Sequence, residues 1–546
     1  MPYNLLVDPL APFLMTSGEV RWLAVADITS GLADGDYAVE PAWPRTDLDT
    51  ATYEFLIGLL SFALPPRSTR EWAARYRTPP CPDDLRAALA PLVPAFNVDG
   101  EGPLFMQERG LESDTNPVEA LFIDTPGANT QKKNSDLLTH RDRYGALCLP
   151  AAGMALYALQ AFAPSGGAGN LTSMRGGGPL STLVIPLGDD NGPPLPLWHK
   201  LWANVALHDG QAPHPDSVFA WLRADLPVGK GEKQGGIKLH QGAPPFDGRL
   251  HPFFGMPRRI RLVVSGEGRC DLTGREGPLV TGFVQRPYGL NYGDWRHPLT
   301  PYRRQKPAET PYSVKPKSGR FGYRDWVAVT VGDCRDDEQL LSLAAENVRF
   351  ARGALADHLS DKDARPQARI RVAGWAMSNM EAISYLAAEQ PLPLAKPSLT
   401  AFMDELARDM GEAGDIANGA LRFAVKTVLG TKDDKGVVEQ ARIAFYADTD
   451  DAFYDLLGQA VLGEEPADRE DIGRRWLAHL RRAALAIFDA SCPVPLEDAA
   501  KAEPVVRARG VLIAALTGYG KTGDRLFKAL LLPQPSKTER KKKEAA

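Results

Sequence analysis

Cysteine is scarce in this chain: five among 546 residues, at positions 81, 148, 270, 334 and 492, with neighbours more than sixty residues apart. An odd and scattered set argues against a disulfide scaffold and suits a reducing cytoplasm. No stretch approaches the ~18–20 continuous apolar residues of a membrane span. The opening Met1-Pro2-Tyr3-Asn4 lacks a basic segment followed by an apolar run, so secretion is not expected and a cytoplasmic location is. Catalytic signatures are missing as well. The nine histidines do not cluster, and neither Gly-x-Ser-x-Gly nor His-Glu-x-x-His occurs.

Glycine (50) and proline (46) are abundant, so much of the fold should be loop. With 44% apolar residues the chain can build cores, which excludes a wholly disordered protein. The formal net charge of −5 by itself speaks against nucleic acid. The distribution does not. Residues 230–324 carry eighteen Lys/Arg against seven Asp/Glu, a surplus of eleven positive charges, which leaves −16 for the rest. A basic stretch rich in glycine, proline and aromatics suits a polyanion-facing surface; pairing of its charges by the acidic remainder is the competing reading.

Short apolar runs such as Leu5-Leu6-Val7 and Val20 to Val25 predict strands near the N-terminus. Residues 50–96 carry a helical pattern broken at Pro65-Pro66 and Pro79-Pro80, and a helix is predicted at 151–163, ending at Pro164. Periodicity fades over 97–150, where a long exposed loop is expected. Strands are predicted at 181–187, 258–264, 279–285 and 326–331, and a helix at about 336–359. Beyond Pro393, stretches at 398–429, 437–463, 470–490 and 497–532 are rich in Ala, Leu, Arg and Glu and show apolar stripes. The expectation is an α+β chain: an irregular, loop-rich mixed domain over 1–390, then an antiparallel four-helix bundle with a basic tail over 391–546.

Several motifs dissolve on inspection. Gly520-Lys521-Thr522 resembles the end of a phosphate-binding loop, but the required earlier glycine is Ala515 and a helix is expected to precede it. Cys270 to Gly274 resembles half a zinc knuckle without a second cysteine, so no metal or other cofactor is expected. Asp433-Asp434 and Asp450-Asp451 are expected near helix starts, where capping accounts for them. The run Pro164-Ser165-Gly166-Gly167-Ala168-Gly169-Asn170, followed by Arg175-Gly176-Gly177-Gly178, is different. Without side chains a backbone can lie close to a ligand, its amides free for phosphates or base edges. A flexible connector is the plain alternative.

The order of these pieces resembles one family. From Asn4-Leu5-Leu6-x-Asp8 the chain runs through Pro103-Leu104-Phe105-Met106-Gln107, Thr115-x-Pro117-x-Glu119 and Gly127-Ala128 to the glycine run. Gly255-Met256-Pro257-Arg258-Arg259-Ile260, Thr281-Gly282-Phe283, Trp295-Arg296-His297-Pro298, Tyr323-Arg324-Asp325-Trp326 and Gly374-Trp375-x-Met377-x-Asn379-Met380 follow. In that order, with a helical C-terminus behind them, they resemble CasA, the large subunit of the type I-E CRISPR surveillance complex, Cascade.

The resemblance implies a non-enzymatic subunit that recognises the PAM of target double-stranded DNA through the minor groove, helps open the duplex for R-loop formation and recruits a helicase-nuclease. Its implied partners are the other Cascade subunits, the guide crRNA and target DNA. The family's glycine loop falls on Gly166, Gly167, Ala168 and Gly169, and its strand-separating wedge on Asn379 and Met380. Its basic finger is assigned to Arg286. Its guide-end loop falls at about 128–145, with Lys132, Lys133, Arg141 and Arg143. Two other classes remain open at this stage: a metal-dependent nuclease using scattered carboxylates, and a protein-only scaffold whose basic segment docks an acidic partner.

Overall fold

The computed structural model describes residues 2–535 except 135, 137–138, 168, 189–191, 209–212, 230–237, 243, 307–308, 333–340, 360–366, 379, 431–434 and 496. Ala168, Asn379, Cys334, the pair Asp433-Asp434 and the basic tail therefore lie outside the described residues. The chain divides into two compact units, one formed by Met1–Gly319 with Asp336–Leu392, the other by Arg320–Arg335 with Pro393–Ala546.

In the first unit, helix Thr46–Ala63 is buried over most of its circumference: its second half is almost wholly apolar, and in its first half Asp47 and Glu54 are paired with Arg45 and Arg175. It packs on helix Leu149–Phe162, which is equally enclosed. Pro150 starts that helix at a position where a missing N–H costs nothing. Around the pair, Phe55, Phe96, Phe105, Tyr157 and Phe254 meet mostly edge to face, with centroids 5.4 to 6.4 Å apart.

Small sheets surround this core. Strands Arg259–Arg269 and Glu276–Arg286 form an antiparallel hairpin, with Thr115–Pro117 and Leu147–Cys148 on the other edge of the second strand. Ser181–Leu187 pairs with Gln367–Ser378, which continues into a long hairpin with Glu381–Leu392. Arg371 fixes the base of this hairpin through Glu389 at 2.6 Å and Glu40 at 3.2 Å.

In the second unit, helices Pro397–Leu429, Lys435–Ala460, Arg469–Ser491 and Ala499–Leu516 pack in sequence, and the first also packs on the fourth, closing a bundle. The stretch expected as one last helix is two. It breaks at Thr517–Tyr519, where Gly518 has φ +87°, and a short helix follows at Gly520–Ala529. Gly520-Lys521-Thr522 thus follows a helix rather than a strand. The strand predicted at 326–331 is also helical: Tyr323–Thr330 buries Trp326 and stacks Tyr323 on Phe453 at 4.7 Å. Asp450, expected near a helix start, sits inside Lys435–Ala460 instead. It caps this other helix, accepting the Tyr323 N–H at 2.8 Å and Arg320 at 3.1 Å.

Among the described residues, no helix is long and apolar enough to cross a membrane.

Candidate nucleic-acid interface

Helix Leu149–Phe162 ends just before Pro164, and the chain then closes into a tight loop. The Gly166 N–H donates to the Asn170 carbonyl at 3.1 Å, and the Asn170 side-chain amide returns to the Gly166 carbonyl at 2.6 Å. Gly167 and Gly169 have φ +79° and +81°, a region that strains side-chain-bearing residues. Gly169 is also sterically required, since a Cβ there would lie 2.5 Å from the Cβ of Pro287. Gly166 and Gly167 are exposed.

This packing sets the glycine loop against the residues that flank Arg286. The Tyr288 N–H donates to the Gly169 carbonyl at 2.7 Å, and Gln285 donates to Asn170 Oδ1 at 2.6 Å. Arg286, last residue of its strand, is exposed and forms no ion pair with any described residue.

The third element arrives from far along the chain. Met380 stands at the turn of the hairpin Gln367–Ser378/Glu381–Leu392, 58% exposed, with φ +69°. An exposed methionine with positive φ is unusual, and such strain concentrates at functional positions. The Ser165 hydroxyl donates to its sulfur at 3.0 Å. The glycine loop therefore joins the strand end that carries Arg286 to the hairpin turn that carries Met380.

The expected guide-end loop reaches the same hairpin: Thr130 Oγ1 donates to Glu381 Oε1 at 3.3 Å. Its four basic residues divide into two kinds. Lys132 and Lys133 are exposed and form no ion pair with any described residue. Arg141 instead holds the loop together, donating to Asp136 at 2.6 Å and to the Gln131 carbonyl at 3.0 Å. Those hydrogen bonds hold the Asp136 carboxyl well below its usual range. Arg143 pairs with Asp124 at 3.0 Å. Buried Glu119, part of the quoted motif, accepts the N–H groups of residues 142 and 143 at 3.1 and 2.9 Å.

The second half of the glycine run is structural. Arg175 is buried against Glu54 at 2.7 Å, with Thr300 at 3.0 Å. A Cβ on Gly177 would lie 2.6 Å from Pro164 Cα, and one on Gly178 2.4 Å from the Trp375 carbonyl. These glycines let backbones pack closely within the protein rather than on a ligand.

The basic segment is partly neutralised inside the fold. Arg259 pairs with Glu108 at 2.6 Å and Arg275 lies over the Trp22 ring at 4.3 Å. Arg320 and Arg324 pair within the second unit, with Asp450 and Asp415. Arg286, Arg296, Lys306 and Lys317 remain exposed without an ion pair to any described residue. Sequence reasoning missed Ser165 as the link to Met380 and Tyr288 as the clasp on Gly169. Only the φ +62° of Tyr288 sets it apart, and that is a structural signal.

The half-knuckle is a turn around a buried thiol. Cys270 N–H donates to the Arg275 carbonyl at 2.8 Å, and Asp271 accepts the Gly145 and Ala146 N–H groups at 2.7 and 2.9 Å. Among the described residues, no three His, Cys, Asp or Glu side chains stand together as a metal would need. His251 and His297 are core residues. His251 bonds the Val218 carbonyl at 2.7 Å and Tyr292 at 2.9 Å.

Known structures share this architecture. CasA of Thermus thermophilus aligns at TM-score 0.67 and 17% identity, over 94% of this chain and 99% of that one. Cse1 of Thermobifida fusca aligns at TM-score 0.68 and 14% identity, over 97% and 98%. A chain of a CRISPR RNA-guided surveillance complex aligns at TM-score 0.67 and 15% identity, over 94% and 99%. At such identities the likeness concerns the fold. CasA and Cse1 are two names for one protein. Over residues 4–487 the sequence itself matches the family of CRISPR-associated protein Cse1, and the chain belongs to that family.

Proposed function

We propose that this chain is the large subunit of a CRISPR RNA-guided surveillance complex in the cytoplasm, that it has no enzymatic activity, and that it recognises the PAM of target double-stranded DNA. Its partners are then the other Cascade subunits, the guide crRNA, target DNA and a helicase-nuclease recruited after binding. Family membership and the fold shared with a chain of such a complex support the assembly role. The observation that carries the DNA reading is the junction of glycine loop and hairpin turn through Ser165 and Met380, with the neighbours of Arg286 clasped to the same loop.

In this reading Gly166 to Gly169 and Arg286 enter the minor groove, whose degenerate pattern allows several PAM sequences. Asn379 and Met380 insert at the first opened step, where an apolar wedge offsets an unstacking cost of roughly a few kcal/mol. The guide RNA reads the rest of the target by base pairing, so the protein needs only a short motif and a melted edge. Lys132 and Lys133 lie toward the guide end, while Arg141 and Arg143 shape the loop that presents them. The domain of residues 1–390 carries recognition, and the bundle of 391–546 contacts neighbouring subunits.

Met380→Ala tests the wedge in the assembled complex. It should slow R-loop formation on duplex targets at least tenfold, about 1.4 kcal/mol of lost step stabilisation, while binding to a pre-melted target changes little. Equal losses on both targets overturn the wedge. DNA cleavage by the purified chain with Mg²⁺ or Mn²⁺, lost on substitution of one carboxylate, overturns the non-enzymatic role.

A further inference from the structure

Beneath the glycine loop lies a cation that the fold does not neutralise. Arg258 immediately precedes strand Arg259–Arg269, and Gln160 clamps its backbone. Gln160 Oε1 accepts the Arg258 N–H at 3.0 Å, and Gln160 Nε2 donates to the Arg258 carbonyl at 2.9 Å. The side chain turns back toward the loop, and Nη2 donates to the Pro164 carbonyl at 2.5 Å. Nε is buried with no hydrogen-bond partner. No described carboxylate pairs with this guanidinium, whereas its neighbour Arg259 is held by two bonds to Glu108.

The loop leaves this charge a way out. A Cβ placed on Gly166 would lie 3.7 and 3.8 Å from the two Nη atoms, and Gly166 is exposed. At Gly166 no side chain stands over the guanidinium, and the Asn170 Cβ lies beside the same point at 3.6 Å. Burial without a counter-ion costs free energy, and that cost falls when an anion arrives. Desolvation brings the Arg258 pKa down to about 10, which still leaves it charged at neutral pH.

We propose that Arg258 is a DNA-binding residue: its guanidinium takes a backbone phosphate of the duplex lying across the glycine loop, and Gly166 is bare so that this phosphate can approach. The bond to Pro164 holds the guanidinium in place, and the remaining N–H groups on its two Nη atoms, the ones beneath Gly166, serve the phosphate. This inference rests on the loop being the duplex-binding element.

The test compares Arg258→Gln and Arg258→Lys with the unaltered protein in the assembled complex, measuring duplex affinity across a salt series. Arg258→Gln should weaken PAM-duplex binding about tenfold at physiological salt and reduce the log–log salt slope by about 0.9, the signature of one lost phosphate contact. Arg258→Lys keeps the charge and should keep the slope. An unchanged slope in Arg258→Gln overturns the proposal, whether or not affinity falls, because loop positioning alone does not alter counter-ion release. So does an equal loss of slope in the Lys variant. Met380→Ala and Gly169→Ala run in parallel separate the two readings. If these impair duplex engagement and Arg258→Gln does not, only the phosphate contact fails; if none of them affects DNA, the duplex-binding reading fails.

Discussion

At Gly169 one methyl group separates two outcomes. The residue combines φ +81° with a neighbour 2.5 Å from any added Cβ, whereas Gly167 combines a similar φ with open space. Gly167→Ala should therefore cost only the backbone penalty, about 1–2 kcal/mol. Gly169→Ala must also push Pro287 and Tyr288 away, displacing Arg286, and should cost more. Thermal melting of the two variants checks the order, and PAM-duplex binding should fall further for Gly169→Ala. Arg175 is a contrasting residue. It follows the same glycine-rich stretch, yet its partner is buried Glu54, 121 positions away. Arg175→Ala should destabilise by about 3–5 kcal/mol, because it strands a buried carboxylate, and denaturant unfolding reads that loss. The sequence adjacency of Arg175 to the loop was legible; its burial was not, since nothing local distinguishes a ligand-facing arginine from a core one.

Among the elements, helices Pro397–Leu429 and Arg469–Ser491 were readable because their apolar stripes recur at helical spacing over more than twenty residues. The hairpin that presents Met380 was not. Its second strand, Glu381–Leu392, is rich in Ala and Glu and reads as poorly strand-forming, and pairing with Gln367–Ser378 overrides that preference. Tyr323–Thr330 misled in the opposite sense. Its aromatic and β-branched residues suggest a strand, but Asp450 accepts the buried N–H at its start, which has no partner within the helix, and makes a short helix tolerable. Asp450→Ala should cost about 1–2 kcal/mol, as losing a helix cap does, and Asp450→Asn less, because an acceptor remains. Urea unfolding of the bundle measures the difference.

For the whole molecule, buried histidines link stability to pH. Burial brings His251 from 6.5 down to about 4, and burial with the nearby Arg175 charge holds His297 well below its ordinary value. Both stay neutral when folded and take protons once unfolded. The His251 contribution is complete above pH 6.5 and is lost as pH falls toward 4, at about 1.4 kcal/mol per pH unit, and His297 adds a loss of the same sign below pH 6.5. Unfolding free energy measured from pH 7.5 to 4.5 should fall with this sign, and His251→Gln should flatten the slope.

The amino-acid sequence by itself determined the helical C-terminus, the strands Ser181–Leu187, Arg259–Arg269 and Glu276–Arg286, and the glycine loop. Each depends on local periodicity, turn chemistry or composition, which neighbours in sequence carry. Tertiary structure alone decided which glycines face solvent and which serve packing, and which arginines remain unpaired. It also decided that Ser165 meets Met380, 215 residues away. Those outcomes depend on burial and on partners that no local pattern encodes. The scarce cysteines and missing catalytic motifs excluded functions; the surface that supports one exists only once loop, strand end and hairpin turn are brought together.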